Sequence, residues 1–452
     1  MWLVEARALR LVCDPLLAPT HHGGVFEVVP RRTVVAEALR ADFVLVSHCH
    51  PDHFDVPSLH RLARLDPDSV VVTPDPLVAW AAGELGFRSV RIVAPGQLVD
   101  LEDTRIVTTP SVAPGEWGAL VATKDGVVWN QVDTVPADAA TLRSWLATSL
   151  AALGESRIDL ALVRWQPMLE IAAPLGHRTT FPHRDYAAIL EQAAAVDARA
   201  VVAASCSGAH TGAFAWMDRY VYPVGEDRFA RDLQRRAPGT AVLPARIGAT
   251  YRVREGATSV RSDRAEGLVR LDDDVDPRRW SPFSIPALVD PHVGDADEPT
   301  MRAEVSAWLE HTLAPALVAA WPHMDAVGPL RFAVDVVFPT ARDGVTIVVD
   351  GERARVEVGI DPDWDACNVV AGSLLWEVIE GRRHWGDVLL AGALRTATRA
   401  YTVDATGLRA ARIGETFLYY ALSYDDAVRR AVRWEVAQAL AQDGRVLAHE
   451  PP

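Results

Sequence analysis

The sequence predicts a layered α/β domain followed by a smaller α+β domain. Three observations support this prediction. Short β-branched runs alternate with Ala- and Leu-rich segments from Leu9 to about Thr250, a charged, proline-containing stretch interrupts the pattern, and β-rich runs follow it. A chain of 452 residues is also long for one ordinary core. We therefore expect a larger α/β domain at 1–255, a linker at 256–300 and a smaller accessory domain at 301–452.

The first domain is expected to contain helices and a sheet that is partly antiparallel. Asp125-Gly126 separates two β-rich runs, and both residues tolerate the positive φ of a tight hairpin. Helical spacing of apolar residues predicts helices at 59–65, 76–85, 138–153 and 185–195. The predicted strands are 43–47, 70–73, 91–93, 105–108, 119–123, 127–131, 160–165 and 200–204.

The accessory domain is expected to form a small antiparallel meander. A helical segment at 301–320 precedes the three β-rich runs RFAVDVVF, GVTIVVDG and RARVEVGI. Asp343-Gly344 and Asp350-Gly351 separate these runs, as in hairpins. Predicted helices at 367–380, 385–395 and 425–441 would cover one face of this sheet.

Charge and cysteine content limit the possible partners and compartment. There are 45 Lys plus Arg against 60 Asp plus Glu, a net charge of −15 that repels phosphate backbones and anionic lipid. The four cysteines form no CxxC pair, which fits a reducing compartment better than a disulfide framework. The sequence shows no signal peptide and no apolar run long enough for a membrane span. We expect a cytoplasmic protein that binds neither nucleic acid nor membrane.

The most informative segment is His48-Cys49-His50-Pro51-Asp52-His53, directly after the apolar strand DFVLVS. On an extended chain His48 and His50 point the same way, while Asp52 and His53 can turn back from the following loop. Three imidazoles and a carboxylate at a strand end are typical ligands for one or two metal ions. The alternative, a solvated loop that happens to be histidine-rich, requires three of the 14 histidines to fall in one hexapeptide by chance.

The string HCHPDH resembles the HxHxDH signature of the metallo-β-lactamase fold, an αββα sandwich whose strand-end loops hold one or two metal ions. The resemblance covers about residues 9–250 and implies a third histidine on a later loop, a bridging aspartate and a last histidine after another strand. Where the third histidine is expected, the segment SVAPGEWGALVATKDGVVWNQVDT contains Glu116 and, after the hairpin, Asp133. A carboxylate in that position favours iron over a nitrogen-rich zinc site.

A glutamate at this position resembles the non-haem diiron β-hydroxylase branch of the fold. We call residues 48–53 the metal loop. The wider chain resembles the non-Rieske part of the CMP-N-acetylneuraminate hydroxylase family, through the metal loop, the hairpin ending in VDT, an RIGAT element and the segments LLWEVIEGR and HWGDVLLAG. No cysteine has the C-x-H spacing of a Rieske cluster, so electrons would have to come from an external donor.

The resemblance implies a ligand set for two metal ions. One ion would be bound by His48, His50 and Glu116, the other by Asp52, His53 and a last histidine, with Asp133 bridging them. His210 is the expected last histidine, with His183 and His177 as alternatives. Glu116 could instead be a solvent-facing turn residue, and Asp133 could serve an Asx-turn. His21 and His22 either border the same site or are ordinary loop histidines.

These residues lead to three functional hypotheses. The first is a diiron oxygenase with two iron ions and dioxygen as co-substrate, in which Asp52 and Glu116 are catalytic and the small-molecule substrate is free or tethered to a carrier. The second is a dizinc hydrolase that attacks an ester, lactone, amide or phosphodiester, with Asp52 orienting the metal-bound water. The third is a catalytically silent metal-binding protein whose accessory domain recognises a carrier.

Overall fold

The computed structural model describes residues 1–6, 9–101, 103–113, 115–205, 208–261, 267–272, 278, 280–324, 328–411, 413, 418–421 and 424–452. In its first half, two β-sheets lie face to face and helices cover their outer faces. The alternation of side chains along each strand produces these layers. In strand Gly118–Thr123, Leu120 packs in the helix-facing core, whereas Ala119 and Val121 pack against the other sheet. The predicted αββα sandwich is confirmed.

The first sheet carries the metal loop. Strands Trp2–Ala6 and Leu9–Cys13 form an antiparallel hairpin, and the remaining neighbouring strands of this sheet pair in parallel. Helices Val56–Leu65 and Pro76–Leu85 connect the parallel strands, and each begins after an aspartate whose carboxylate accepts a backbone hydrogen bond from the first turn. The spatial order is Trp2–Ala6, Leu9–Cys13, Phe43–Leu45, Val70–Thr73 and Ser89–Ile92.

The second sheet is mixed, as predicted. An antiparallel pairing across Asp125-Gly126 confirms the hairpin, and Gly126 is required there because a Cβ atom would lie 2.5 Å from the carboxylate of Asp159. Helices Ala139–Leu153, His183–Ala195 and Glu226–Arg236 cover the outer face. The spatial order is Ala241–Leu243, Ala200–Ala203, Leu160–Val163, Gly126–Asn130, Gly118–Thr123, Thr104–Thr109 and Leu98–Leu101, of which the first four are parallel.

A small three-stranded sheet brings an early loop to the end of the second sheet. It pairs Phe26–Val28 with Thr20–His21 on one side and with Gly208–His210 on the other. Two further antiparallel pairs involve the stretch after the second sheet. They are Arg32–Val34 with Val269–Leu271, and Thr250–Arg254 with Ala257–Arg261. The expected linker thus supplies strands to the first half, and the domain limits at 255 and 300 remain a prediction.

The C-terminal half is built on a five-stranded sheet. Its first three strands form the predicted antiparallel meander. The predicted helical segment 301–320 is present as the consecutive helices Glu298–Trp308, Leu309–Leu313 and Ala314–Ala320. The spatial order of the strands is Ala354–Val358, Arg342–Val349, Leu330–Val337, Ala366–Ala371 and Leu394–Thr398.

Two predicted helices of this half were too long. Segment 367–380 begins as strand Ala366–Ala371, which pairs in parallel with Leu330–Val337, and only Gly372–Ile379 is helical. Its β-branched Val369 and Val370 suit a strand, and the helical spacing begins after them. Segment 385–395 is helical only over Trp385–Leu390, because the chain turns at Gly392 and enters the next strand.

The remaining short elements connect these layers. They are the 3₁₀ helices His22–Gly24, Ala36–Leu39, Gly212–Arg219 and Trp321–His323, the hairpin of Tyr401–Asp404 and Gly407–Ala410, and helix Leu418–Ala421.

The last helix, Tyr424–Ala441, corrects another expectation. It was predicted to cover the C-terminal sheet, but Val432, Val436 and Leu440 pack into the core beneath the first sheet's helices. An apolar stripe predicts that a helix face is buried, but it does not identify the surface that buries it. The two halves of the chain therefore share a core. Within the described residues, no helix combines the length and apolar character needed to span a bilayer.

Candidate metal centre

Asp14 holds the metal loop against the end of the first sheet. This residue follows strand Leu9–Cys13, the parallel neighbour of the strand that leads into the loop. The Asp14 backbone N–H donates to the carbonyl of Leu45 at 2.8 Å, and Oδ1 of Asp14 accepts the backbone N–H of Ser47 at 2.8 Å. Asp14 has a φ of 46°, an uncommon value that is maintained at the cost of local strain. The start of the loop is fixed by these bonds.

The structure brings five of the predicted ligand residues together. Possible donor atoms of His48, His50 and Asp133 lie within 4.8 Å of one another, and so do those of Asp52, His53 and Asp133. Asp133 belongs to both groups, as a bridging ligand between two cations would. Its position follows from the second sheet, because Asp133 comes shortly after strand Gly126–Asn130. The assignment of these residues as ligands remains our proposal.

His53 is surrounded by carboxylates. Its Nε2 atom lies 3.2 Å from Oδ2 of Asp52 and 3.1 Å from Oδ2 of Asp133, and its Nδ1 atom lies 3.1 Å from Oδ2 of Asp14. Burial lowers the pKa of His53, but the charges of these three carboxylates outweigh burial and hold the pKa well above its ordinary value. One ring nitrogen is thus directed between two carboxylates, where a cation could replace its proton.

The surroundings of His48 have the opposite effect on its pKa from those of His53. The side chain of His48 is 4% exposed, and burial, followed by the charges of His53 and His50, lowers its pKa to about 3. Its Nδ1 atom is 2.9 Å from Oγ of Ser47, while its Nε2 atom is 2.8 Å from Nδ1 of His50 and 3.7 Å from Oδ2 of Asp133. A neutral imidazole fixed through one nitrogen leaves the other to bind a metal.

Glu116 lies beside the two groups of converging donor atoms but belongs to neither. It is half-buried, and Oγ of Ser111 donates to Oε2 of Glu116 at 3.5 Å. Burial raises the pKa of Glu116 to about 7, and the charge of Asp133 adds to this effect. The carboxylate is therefore close enough to interact electrostatically with the shared aspartate, although it does not converge with it.

The structure does not bring His210 into either group. Its Nδ1 atom is 2.6 Å from Oδ1 of Asp218, and its Nε2 atom is 3.2 Å from the carbonyl oxygen of Leu390. The His210 side chain is 0% exposed, and its ring packs against Phe26. Both nitrogens therefore have protein partners, and the ring links the two halves of the chain.

The alternative histidines do not replace His210. His177 and His183 are exposed, and neither belongs to a converging group of donors. His183 begins helix His183–Ala195 and packs against Phe181. No candidate for the last histidine ligand thus joins the other donors in the described part of the chain.

Sequence reasoning missed Asp14 altogether. The signal available for it was its position at the end of a strand, in Cys13-Asp14-Pro15, but that strand was not predicted. His21 and His22 were considered only as neighbours of the site. They lie with their Nδ1 atoms 2.6 Å apart, and the charge of Asp52 affects the pKa of each ring, which supports the interpretation that they border the site.

The converging side chains fit a pair of divalent cations. They supply three imidazoles and two carboxylates, a mixture suited to iron and also compatible with zinc. The carboxylates around His53 hold its pKa well above the ordinary value, and a cation bound between them would offset the same negative charges. Ser47 and Asp14 contact the second nitrogens of His48 and His53, as outer partners of metal ligands do.

Comparisons with known proteins were made by sequence and by structure. No protein-family model matches the chain. It is 29% identical over 182 residues to a protein described as a Rieske 2Fe-2S iron-sulfur protein from Mycolicibacterium smegmatis, covering 37% of this chain and 34% of that protein. A similarly described protein from Mycobacterium tuberculosis is 30% identical over 157 residues, covering 32% and 30%. The chain thus spans about a third of the length of these curated relatives.

Solved structures also resemble parts of the chain. CmlA from Streptomyces venezuelae, described as a diiron β-hydroxylase, has 17% identity and a TM-score of 0.35, covering 54% of this chain and 51% of that one. The metallo-β-lactamase fold protein YhfI from Bacillus subtilis has 13% identity and a TM-score of 0.34, covering 57% and 90%. The structural neighbours therefore include a diiron β-hydroxylase and a metallo-β-lactamase fold protein, two of the three groups named in the resemblance.

Proposed function

We propose that the protein is a non-haem diiron oxygenase that hydroxylates or otherwise oxidises a small molecule. The observation that carries this proposal is the position of Asp133, which is shared by two groups of converging donors. A shared carboxylate suits two cations held side by side, and the carboxylate of Glu116 next to it adds a hard oxygen donor of the kind that favours iron.

The chain's own residues would bind and orient the metal pair. In this proposal His48 and His50 would hold one iron ion, Asp52 and His53 would hold the other, and Asp133 would bind both. Glu116, which lies outside both groups of converging donors in the structure, would complete the first group, as the resemblance implies. When bound, two iron ions supply the stepwise reduction of dioxygen needed to oxidise a C–H or N–H bond. Ser47 and Asp14 keep the rings of His48 and His53 in the required orientation through the contacts described above.

Electrons would come from another protein. None of the four cysteines has the C-x-H spacing of a Rieske cluster, and the described Cys13, Cys49 and Cys367 are free thiols. The curated relatives described as Rieske proteins support a role in redox chemistry. A substrate tethered to a carrier protein remains an alternative to a free small molecule.

The metal content tests this proposal directly. Purified apo-protein is reconstituted anaerobically with Fe²⁺ or Zn²⁺, and its metal content, visible absorbance and oxygen consumption with a chemical reductant are measured. We expect two iron ions per chain, an iron-dependent absorbance after exposure to air and consumption of oxygen. Protein that retains only two zinc ions, consumes no oxygen and hydrolyses ester or lactone substrates would instead be the dizinc hydrolase.

A further inference from the structure

One edge of the C-terminal sheet is open. Strand Ala354–Val358 is the outermost strand on that side, and in the described part of the chain it pairs with a single neighbour, Arg342–Val349. Their register is regular along the whole strand, without a bulge. Val358, an apolar residue at the end of the strand, is 99% exposed. A straight edge of this kind offers its backbone groups to another strand.

The hydrogen bonds on the paired side identify the backbone groups that face the open edge. The N–H of Gly359 donates to the carbonyl of Gly344 at 2.8 Å, and the N–H of Asp350 donates to the carbonyl of Arg353 at 3.1 Å. In an antiparallel pair, only alternate residues bond to a given neighbour. Odd-numbered residues therefore bond to the neighbouring strand. The groups that point to the open edge belong to the even-numbered residues Ala354, Val356 and Val358.

The sequence of this strand, ARVEV, is complementary to itself when it is read in the opposite direction. Two copies paired antiparallel, with Val356 on the two-fold axis, place Ala354 of each copy opposite Val358 of the other. The same register places Arg355 of each copy opposite Glu357 of the other. These two residues form the pairs without backbone hydrogen bonds, in which side chains come closest together. Opposite charges in such a pair stabilise it, and like charges destabilise it.

Backbone and side chains are both suited to this pairing. Every outward N–H and C=O group of the strand finds a partner in the second copy. The side chains of Arg355 and Glu357 are 66% and 45% exposed, and their Nε and Oε1 atoms lie 2.6 Å apart within the strand. On pairing, this ion pair is exchanged for one across the interface, so no charge is buried without a partner. Charges on an edge normally oppose strand addition, but this register matches them.

We propose that the protein forms a homodimer in which strand Ala354–Val358 pairs antiparallel with the same strand of a second copy, about Val356. The two C-terminal sheets then form one continuous sheet. The occupant of the edge is a second copy because the complementary charges lie within this one strand. The inference goes beyond the proposed function and does not depend on which metal the protein binds.

Charge reversal tests the register in the full-length protein. Sedimentation equilibrium should show wild type passing from monomer to dimer between roughly 1 and 100 μM. Arg355→Glu places two glutamates opposite each other, and Glu357→Arg places two arginines opposite each other, so each variant alone should dimerise about tenfold more weakly. An equimolar mixture of the two variants should regain the wild-type affinity, because both charge pairs of the mixed dimer join an arginine to a glutamate.

Glu191→Arg, a reversal at an exposed position of helix His183–Ala195, is the matched control and should leave dimerisation unchanged. Circular dichroism establishes that each variant is folded. Wild type that stays monomeric over the whole concentration range would overturn the proposal. So would single variants that dimerise as well as wild type, or a mixture that associates no better than its components.

Hydrogen exchange tests the same pairing without any variant. The amides of Val356 and Val358 should exchange more slowly at high protein concentration, because the second copy accepts their hydrogen bonds. The amides of Arg355 and Glu357, which bond within the chain, should exchange at the same rate at low and high concentration. Equal concentration dependence in all four amides, or none in any of them, would contradict the proposed edge.

Discussion

Nδ1 of His53 lies 3.1 Å from Oδ2 of Asp14, a residue 39 positions earlier in the chain. The other oxygen of the same carboxylate accepts the backbone N–H of Ser47. One side chain therefore orients a candidate ligand and also fixes the start of the loop that carries it. This double role makes Asp14 the most informative residue to change outside the ligands themselves.

Asp14→Asn should weaken metal binding by about 10- to 100-fold, the usual effect of losing an outer hydrogen-bond partner of a metal ligand. The amide retains the shape of the carboxylate but loses its charge beside His53. Competition of the zinc-loaded protein with a chromogenic chelator measures the affinity, with Asp68→Asn as a surface control. An unchanged affinity would mean that Asp14 serves the fold alone.

Metal affinity should fall as the pH is lowered. The carboxylates around His53 hold its pKa well above the ordinary value, so a metal ion must displace a proton at neutral pH. Calorimetric titrations with Zn²⁺ in buffers of different ionisation enthalpy should therefore show release of about one proton at pH 7. Binding of Zn²⁺ without proton release would show that His53 does not bind the metal.

The same shift predicts the pH dependence of stability in the metal-free protein. A raised folded pKa stabilises the protein fully below the pKa of an unfolded histidine, about 6.5, and this contribution disappears as the pH rises through the folded value. The free energy of unfolding of apo-protein should thus decrease above about pH 6.5. Urea denaturation from pH 6 upward checks this, and His53→Gln should lose this component of the decrease.

Glu116→His should shift the metal preference from iron toward zinc. The variant exchanges a hard oxygen donor for an imidazole and produces the nitrogen-rich set that suits zinc. Apo-protein is exposed to equal concentrations of Fe²⁺ and Zn²⁺ without oxygen, and the bound metals are counted. Glu116→Asp, which retains the carboxylate, is the control. Identical metal ratios in all three proteins would remove Glu116 from the proposed ligand set.

His210→Ala should retain two metal ions but unfold more easily. The substitution leaves the buried carboxylate of Asp218 without its imidazole partner, at a cost of roughly 1–3 kcal/mol. Metal counting and urea denaturation of the same preparation separate the two effects. Loss of one metal ion from a folded variant would restore His210 as the last ligand.

Leu440→Ala should destabilise the whole protein by roughly 2–5 kcal/mol, the usual cost of truncating a fully buried leucine. Leu440 is 0% exposed and packs in the core shared with the first sheet's helices. Fluorescence and circular dichroism should report one coincident unfolding transition, shifted relative to wild type. Gln438→Ala, at an exposed position of the same helix, should have little effect. Separate transitions would contradict a shared core.

The sequence was most informative where the residues that define a site or a turn are neighbours in the chain. The metal loop combined three histidines in one hexapeptide, and the hairpin at Asp125-Gly126 needed only a turn signal between two β-rich runs. The proximity of Asp133 to the metal loop was accessible through the resemblance, because that residue follows the hairpin at a recognisable distance. These features depend on residues close together in the chain.

The errors arose where distant contacts decided the outcome. His210 was expected in the centre because it follows a strand of the second sheet, but Asp218 and the carbonyl of Leu390 engage its ring nitrogens. Asp14 was overlooked because its importance depends on a parallel strand pairing. The strand at 366–371 was mistaken for a helix since its parallel partner is more than 30 positions earlier. None of these partners can be read from local periodicity.

The position of helix Tyr424–Ala441 also affects the order in which the protein matures during translation. The metal loop at 48–53 leaves the ribosome long before Trp434 and Glu435 of the last helix, which line a cavity beside that loop together with Pro51. A nascent chain could collect its imidazoles and carboxylates early, but the enclosure beside them is completed only after Trp434 and Glu435 have been synthesised. The cavity is therefore complete only when the last helix has been synthesised and has packed against the first half of the chain.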